Sequence, residues 1–156
     1  MNLTPGQLTT LATDINGRAT LATARANHDA PAVCNFYNAA GASNIWRSDC
    51  TPSQLVAVAN WVSFKALTVA TQNVLFAMLL ANPIDATQQS VRSGFSAVFT
   101  GADLTAISNA AQRVGTIIEN LFATGGPPAV CGVDAAGLTL YGQPLDTGTV
   151  TKAMGW

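Results

Sequence analysis

The sequence predicts a mainly α-helical fold: a bundle of about five to six helices over residues 1–124, followed by a C-terminal extended arm, residues 125–156, that holds a short β-strand or hairpin. Three observations predict it. Helix-start signals recur along the chain, apolar residues return three and four positions apart between them, and the helical texture stops at Gly125-Gly126-Pro127-Pro128.

The first helix is announced by Thr4-Pro5-Gly6-Gln7. Thr4 caps the first amides, Pro5 suits the first helical position, and Gln7 reaches back as in a capping box. Leu8, Leu11 and Ile15 then fall on one face. Asp29-Ala30-Pro31 starts a short helix with Val33, Phe36 and Tyr37 as its apolar stripe and Ala39-Ala40-Gly41 as its stop. Thr51-Pro52-Ser53-Gln54 repeats the first device, with Leu55, Val58 and Trp61 or Val62 at helical spacing. From about Phe64 to Asn82 the apolar residues widen until they occupy most sides of a helix, which predicts the central, most buried helix, ended by Pro83. Asp85 or Thr87 caps the next helix, with Val91, Phe95 and Val98 or Phe99 inward and Gly101 as its close. Asp103 opens the longest helix, to about Ala123, with Leu104, Ile107, Ala111, Val114, Ile118 and Leu121 or Phe122 as its core face.

Beyond residue 124, Gly132, Gly137, Gly142, Pro144 and Gly148 break the chain, and Leu138-Thr139-Leu140-Tyr141 alternates like a strand. A lone strand is marginal in water, so it is expected either to pair near Val130 to Val133 or to add to a neighbouring subunit. Asp146 caps a last turn through Val150 and Met154, and Trp156 ends the chain as an apolar residue that a monomer has little reason to expose.

Composition narrows the function classes. Charged residues make up 10% of the 156, with Glu119 the single glutamate, against roughly 25% in an ordinary soluble domain. A surface this neutral associates more readily than it repels, which favours burial in an assembly. A net charge of −1 gives no basic patch for gripping phosphates. Met1 to Ala12 shows neither the positive flank nor the continuous apolar stretch of a secretory signal, and no apolar run approaches the roughly 18 residues of a membrane helix. The chain is therefore expected to be made and kept in a cytoplasm, without a membrane partner. Cys34, Cys50 and Cys131 are odd in number and widely spaced, as reduced, buried thiols are.

The residues also point away from enzyme chemistry, a metal or a cofactor. His28, the one histidine, lies in a polar loop with no nucleophile or second ligand at motif spacing. Gly125-Gly126-Pro127-Pro128 follows a helix, where a phosphate loop must follow a strand. The acids are scattered, and Asp29, Asp85, Asp103 and Asp146 sit at cap positions. Trp46 and Arg47, just before a capped helix, either close the end of the bundle or anchor an interface. Arg92 and Arg113 either pair with an acid inside an assembly or face solvent.

Ile45-Trp46-Arg47-Ser48-Asp49-Cys50-Thr51-Pro52, then Trp61, then Arg92, Phe95 and Phe99 ahead of Gly101, resemble small virion proteins of tailed bacteriophages and prophages. Arg113, Thr116, Glu119 and Leu121-Phe122-Ala123-Thr124-Gly125 are similar to that group's last long helix, and Leu138 to Gly142 to the short strand after it. A helix bundle with a C-terminal arm is similar to the head-to-tail adaptors. The resemblance implies a neck protein of the virion, made in the host bacterial cytoplasm, forming a ring of twelve copies that joins the portal protein to a tail or nozzle protein. Packaged DNA would pass through it without sequence-specific binding. The chain departs from that group at Val114-Gly115-Thr116-Ile117-Ile118, where more charge is expected, and in its first forty residues. The interface residues expected on this view are Trp46, Arg47, Leu138, Leu140, Tyr141, Val150, Met154 and Trp156. Another tail-completion or minor virion protein is the nearest alternative. A cytoplasmic helical module holding a small molecule around Phe76, Met78 and Phe95 is the alternative of another class.

Overall fold

The computed structural model describes residues 1–156. The chain is mainly helical with one small antiparallel sheet, as its periodicity predicts. In chain order the elements are α1 (Pro5–Gly17), α2 (Ala22–Ala26), α3 (Ala30–Asn38), β1 (Ala40–Trp46), α4 (Pro52–Val58), α5 (Trp61–Lys65), α6 (Val69–Leu79), α7 (Gln89–Val98), α8 (Gly101–Ala110), β2 (Gln112–Thr116), α9 (Ile117–Phe122) and α10 (Thr147–Met154), with a 3-10 turn at Ala19–Leu21. Two compact units result: Met1–Ser43 together with Val114–Trp156, and Asn44–Arg113.

In the first unit, α1 begins as the sequence predicts: the Thr4 hydroxyl accepts from the Gln7 amide at 3.2 Å and the Gln7 side chain accepts from the Thr4 amide at 2.9 Å. Leu11 and Ile15 on α1 and Val33 and Tyr37 on α3 are fully buried. The Asp29 carboxylate caps α3 by accepting from the Ala32 amide at 3.0 Å. Helix α10 packs against both α1 and α3, and α3 against α9. Asp146 caps α10 by accepting from the Thr149 amide at 2.8 Å, and Gly155 ends it at φ +69°.

This unit corrects the expected division at residue 124. The segment 125–156 is not a separate arm, because Leu140, Leu145 and Val150 are buried in the same unit as α1 and α3. Burying side chains of this size stabilises by about 1.5–3 kcal/mol each. Polar pins fix the path of the chain. Asn38 donates to the Leu145 carbonyl at 2.9 Å and accepts from the Leu145 amide at 2.7 Å. The buried Glu119 carboxylate accepts from the Gly142 amide at 2.6 Å, and Gln7 donates to the Val133 carbonyl at 2.7 Å. The strand expected at Leu138 to Tyr141 takes the intramolecular option: it forms a single antiparallel bridge, Val133 to Thr139, with the Leu140 amide donating to the Gly132 carbonyl at 2.8 Å. Close approach here needs glycine, since a Cβ on Gly132 would stand 2.5 Å from the Phe122 carbonyl oxygen.

The second unit is built on Cys50, Leu55, Phe64, Leu75, Ile84, Phe95, Val98, Phe99 and Ile107, with Trp46 packed against them. Gln54 accepts from the Thr51 amide at 2.8 Å at the start of α4. Three expectations are corrected here. The long apolar helix is broken into α5 and α6 by separate caps: Asn60 accepts from the Val62 and Ser63 amides, and Thr68 from the Thr71 amide. Asp85 does not cap α7 but closes the turn before it, accepting from the Thr87 amide and hydroxyl. Gly101 opens α8 at φ +56° instead of closing the preceding helix.

The helix expected from Asp103 to Ala123 is also broken. Helix α8 ends at Ala110, Gln112–Thr116 pairs with β1, and a new helix starts at Ile117. Val114, Thr116, Ile117 and Ile118 form a β-branched run interrupted by Gly115, which suits a strand better than a helix interior. Thr116 and Glu119 then form a reciprocal capping box for α9. Helix α3 stops at Asn38 with Ala39 as its cap, where the stop is expected, and strand β1 follows at once. Its Gly41 leaves room for Asn120, because a Cβ there would fall 2.0 Å from the end of the Asn120 side-chain amide and 3.0 Å from the Gly115 carbonyl oxygen.

Candidate interaction surface

The residues expected to form an interface separate by burial. Leu140 and Val150 are fully buried inside the first unit and are core residues in this fold. Leu138 is exposed, while Tyr141, Met154 and Trp156 are half-buried. Trp156 stacks on His28, with ring centroids 5.1 Å apart and planes inclined by 13°. His28 holds φ at +51°, a conformation uncommon outside glycine. In the second unit the Arg92 guanidinium lies 5.5 Å from the centroid of the Trp46 ring and donates to the Ala86 and Thr87 carbonyls at 2.9 and 2.5 Å. Arg92 thus binds backbone oxygens and an aromatic face, a use the sequence does not suggest. Arg47 pairs with Asp49 at 3.0 Å.

The largest departure from expectation is α6. Of its residues only Leu75 is fully buried. Val69 is 71% exposed, Phe76 51% and the capping residue Leu80 85%. Counting along the helix, Val69, Asn73, Phe76 and Leu80 are spaced four, three and four apart and so share one face. The exposed ridge they make is apolar except for Asn73. Beneath it, Phe76 stands edge-on to the buried Phe64 at 5.6 Å, and Phe64 edge-on to Trp61 at 5.4 Å. Val56, Val58, Val62 and Val74 are exposed on α4, α5 and α6 as well.

Charge is nearly absent from this stretch: between Asp49 and Asp85 the only ionisable side chain other than the buried Cys50 is Lys65. Eight large apolar side chains from Val56 to Leu80 are exposed, Val74 among them on a different side of α6 from the ridge. An apolar cavity lined by Leu55, Trp61, Leu75, Leu79 and Phe99 measures about 10 Å³, room for a single water and not for an organic ligand.

The first unit carries a concave feature of opposite shape. An open groove of about 520 Å³ is lined by Ala40, Gly41, Ala42 and Ser43 of β1, Ile117, Asn120 and Leu121 of α9, and Arg18. Arg18 and Asn120, its two long polar side chains, already have partners. Arg18 donates to the Asp14 carboxylate at 2.5 and 3.2 Å. Asn120, oriented by its neighbours, donates to the Ser43 carbonyl at 3.3 Å and accepts from the Ser43 amide at 3.2 Å. Asp14 also accepts from the Tyr37 hydroxyl; burial, followed by this bond, raises the phenol well above its ordinary value and keeps it protonated.

No protein-family model matches the chain, and comparison with curated proteins and with solved structures finds no match either.

No three histidine, cysteine or acidic side chains lie together in a group fit to hold a metal ion, and no helix is long and apolar enough to cross a membrane. Burial raises the Cys34 and Cys50 thiols above their ordinary value, which favours the unreactive protonated form. Phe76 and Phe95 do not share a cleft: Phe95 is buried in the core and Phe76 lies on the exposed ridge. A helix apolar on most sides predicts cover on most sides, and the sequence does not say whether this chain or another supplies it.

Proposed function

We propose that this chain is a structural subunit that works by assembly: a virion protein of a tailed bacteriophage, of the head-to-tail adaptor type, whose copies form a ring between the portal and the tail. The observation that carries the assembly function is the exposed apolar ridge of α6, Val69, Phe76 and Leu80, in a stretch from Val56 to Leu80 that exposes eight large apolar side chains and carries a single charge at Lys65. Exposed apolar surface of this extent mostly marks a contact with another protein or a membrane. Near-zero net charge leaves little long-range repulsion between copies. The resemblance of Ile45 to Gly142 to phage virion proteins supplies the particle and the neck as the place of assembly. DNA passing through such a ring would meet few basic side chains, which favours passage over retention.

The test has two stages. Sedimentation of the purified chain across micromolar concentrations is expected to show a concentration-dependent rise from monomer to a closed oligomer. The chain is then expected to be retained on isolated portal rings. A chain that stays monomeric at all concentrations and does not bind portal rings refutes the proposal.

A further inference from the structure

We infer that residues 142–145 form a latch that closes the base of the β1–β2 ribbon, and that latch and ribbon base open together. The ribbon is a two-stranded sheet, and two strands alone are marginal in water. Its base is closed where the Ile117 amide donates to the Ala39 carbonyl at 3.0 Å. The latch holds the chain on both sides of that bond. Asn38, next to Ala39, accepts from the Leu145 amide at 2.7 Å and donates to the Leu145 carbonyl at 2.9 Å. Glu119 accepts from the Gly142 amide at 2.6 Å through one carboxylate oxygen, and through the other from the amide of Thr116, next to Ile117, at 2.8 Å. This closure is a property of a single copy and does not depend on the assembly function proposed above.

The segment is anchored at its two ends and not along its length. Between Gly142 and Leu145 it borders an open cavity of about 110 Å³, lined also by Asn38, Thr116, Glu119, Gln143 and Pro144. Of its four residues only Leu145 is buried. Lifting one end takes a donor from the buried Glu119, and lifting the other strips Asn38 of both its Leu145 partners. A half-lifted segment therefore leaves polar groups unmet, which favours release of both ends at once. The motion reaches both members of the closing bond. Asn38 ends α3 and leads directly into Ala39, while Glu119 is the reciprocal cap that fixes Thr116 at the end of β2. The chain enters and leaves residues 44–113 through these same two strands, so the latch sits at the root of both.

Amide hydrogen exchange in the full chain tests the latch by perturbing one end and reading the other end and the ribbon base. Asn38→Ala is expected to speed exchange at Gly142 and Ile117 at least tenfold, and by factors that agree within about threefold, as one shared opening requires. Gly142→Ala perturbs the opposite end. Gly142 holds φ at +69° with nothing within 4 Å of an added Cβ, so alanine strains the segment without touching the core. It is expected to speed exchange at Leu145 and Ile117 at least threefold, and it supplies the test if Asn38→Ala does not fold. The Leu11 amide, inside α1, is expected to stay within about twofold of the parent in both variants. Acceleration at Gly142 or Leu145 with Ile117 unaltered would show that the segment opens alone, and would overturn the inference. Acceleration of Leu11 as large as that of Ile117 would do the same, since it marks a general loosening of the unit. So would unaltered exchange at all of these amides.

Discussion

Replacing Asn38 by alanine should release the C-terminal segment from the first unit. Asn38 makes two hydrogen bonds to the backbone of Leu145, donating to its carbonyl at 2.9 Å and accepting from its amide at 2.7 Å. Leu145 is buried, so water reaches these groups poorly once the side chain is cut back. A lost intramolecular hydrogen bond costs about 0.5–1.5 kcal/mol when water can replace it, and about 1–3 kcal/mol when a buried group is left unmet. Two such bonds give an expected loss of about 2–4 kcal/mol. The assay is amide hydrogen exchange of α10, with Val150 and Thr151 as reporters, since exchange reads local opening of the segment. At about 1.4 kcal/mol per decade, exchange there should accelerate roughly thirtyfold to a thousandfold. Amides of α7, in the second unit, serve as the internal control. Acceleration below about twofold in α10, with C-terminal protease sensitivity unchanged, would refute the claim that this pair pins the segment.

Gly41→Ala should destabilise the first unit by about 1–3 kcal/mol in urea unfolding, because the new methyl must displace the Asn120 amide that holds Ser43. Gly6→Ala, where nothing lies within 4 Å, is the matched control. The three cysteines should react with a disulfide reagent at pH 8 at least a hundredfold more slowly in the folded chain than in urea, since all three are buried; one fast thiol in the folded chain would contradict that burial. Asp146 lies well below its ordinary 3.8, at about 2: burial pushes its pKa up, but the Met1 amino group and the Thr149 amide and hydroxyl outweigh that. Its contribution is therefore present above pH 4 and is lost as pH falls toward 2. Since this carboxylate is about half exposed, the ion pair adds at most about 1 kcal/mol. The stability gap between the parent and Asp146→Asn should narrow over that window, and a gap independent of pH would count against the ion pair. Finally, a chain ending at Gly126 should lose the fold of the first unit, because Leu140, Leu145 and Val150 leave its core; a native circular dichroism spectrum for that truncation would restore the picture of an independent arm.

What the sequence determined by itself is what short-range chemistry settles. The caps at Thr4, Asp29 and Asp146 form at the residues expected, because a cap and its amides lie within three residues of each other. The inward positions of Leu11, Ile15, Phe95 and Ile107 hold because each lies on an amphipathic helix with one apolar side. The mainly helical class follows from both. The tertiary structure decided the rest, where the competing interactions come from distant segments. Gln112–Thr116 becomes a strand because β1, some seventy residues earlier, supplies its ladder. The segment after Gly126 is held by Asn38 and Glu119, whose roles no local pattern marks. The candidate surface lies between these limits. That α6 is apolar on most sides was plain in the sequence, but such a helix carries no periodic signal for which side is covered. Only the packing of α6 against α7 showed that Leu75 faces the core while Val69, Phe76 and Leu80 remain open to a partner.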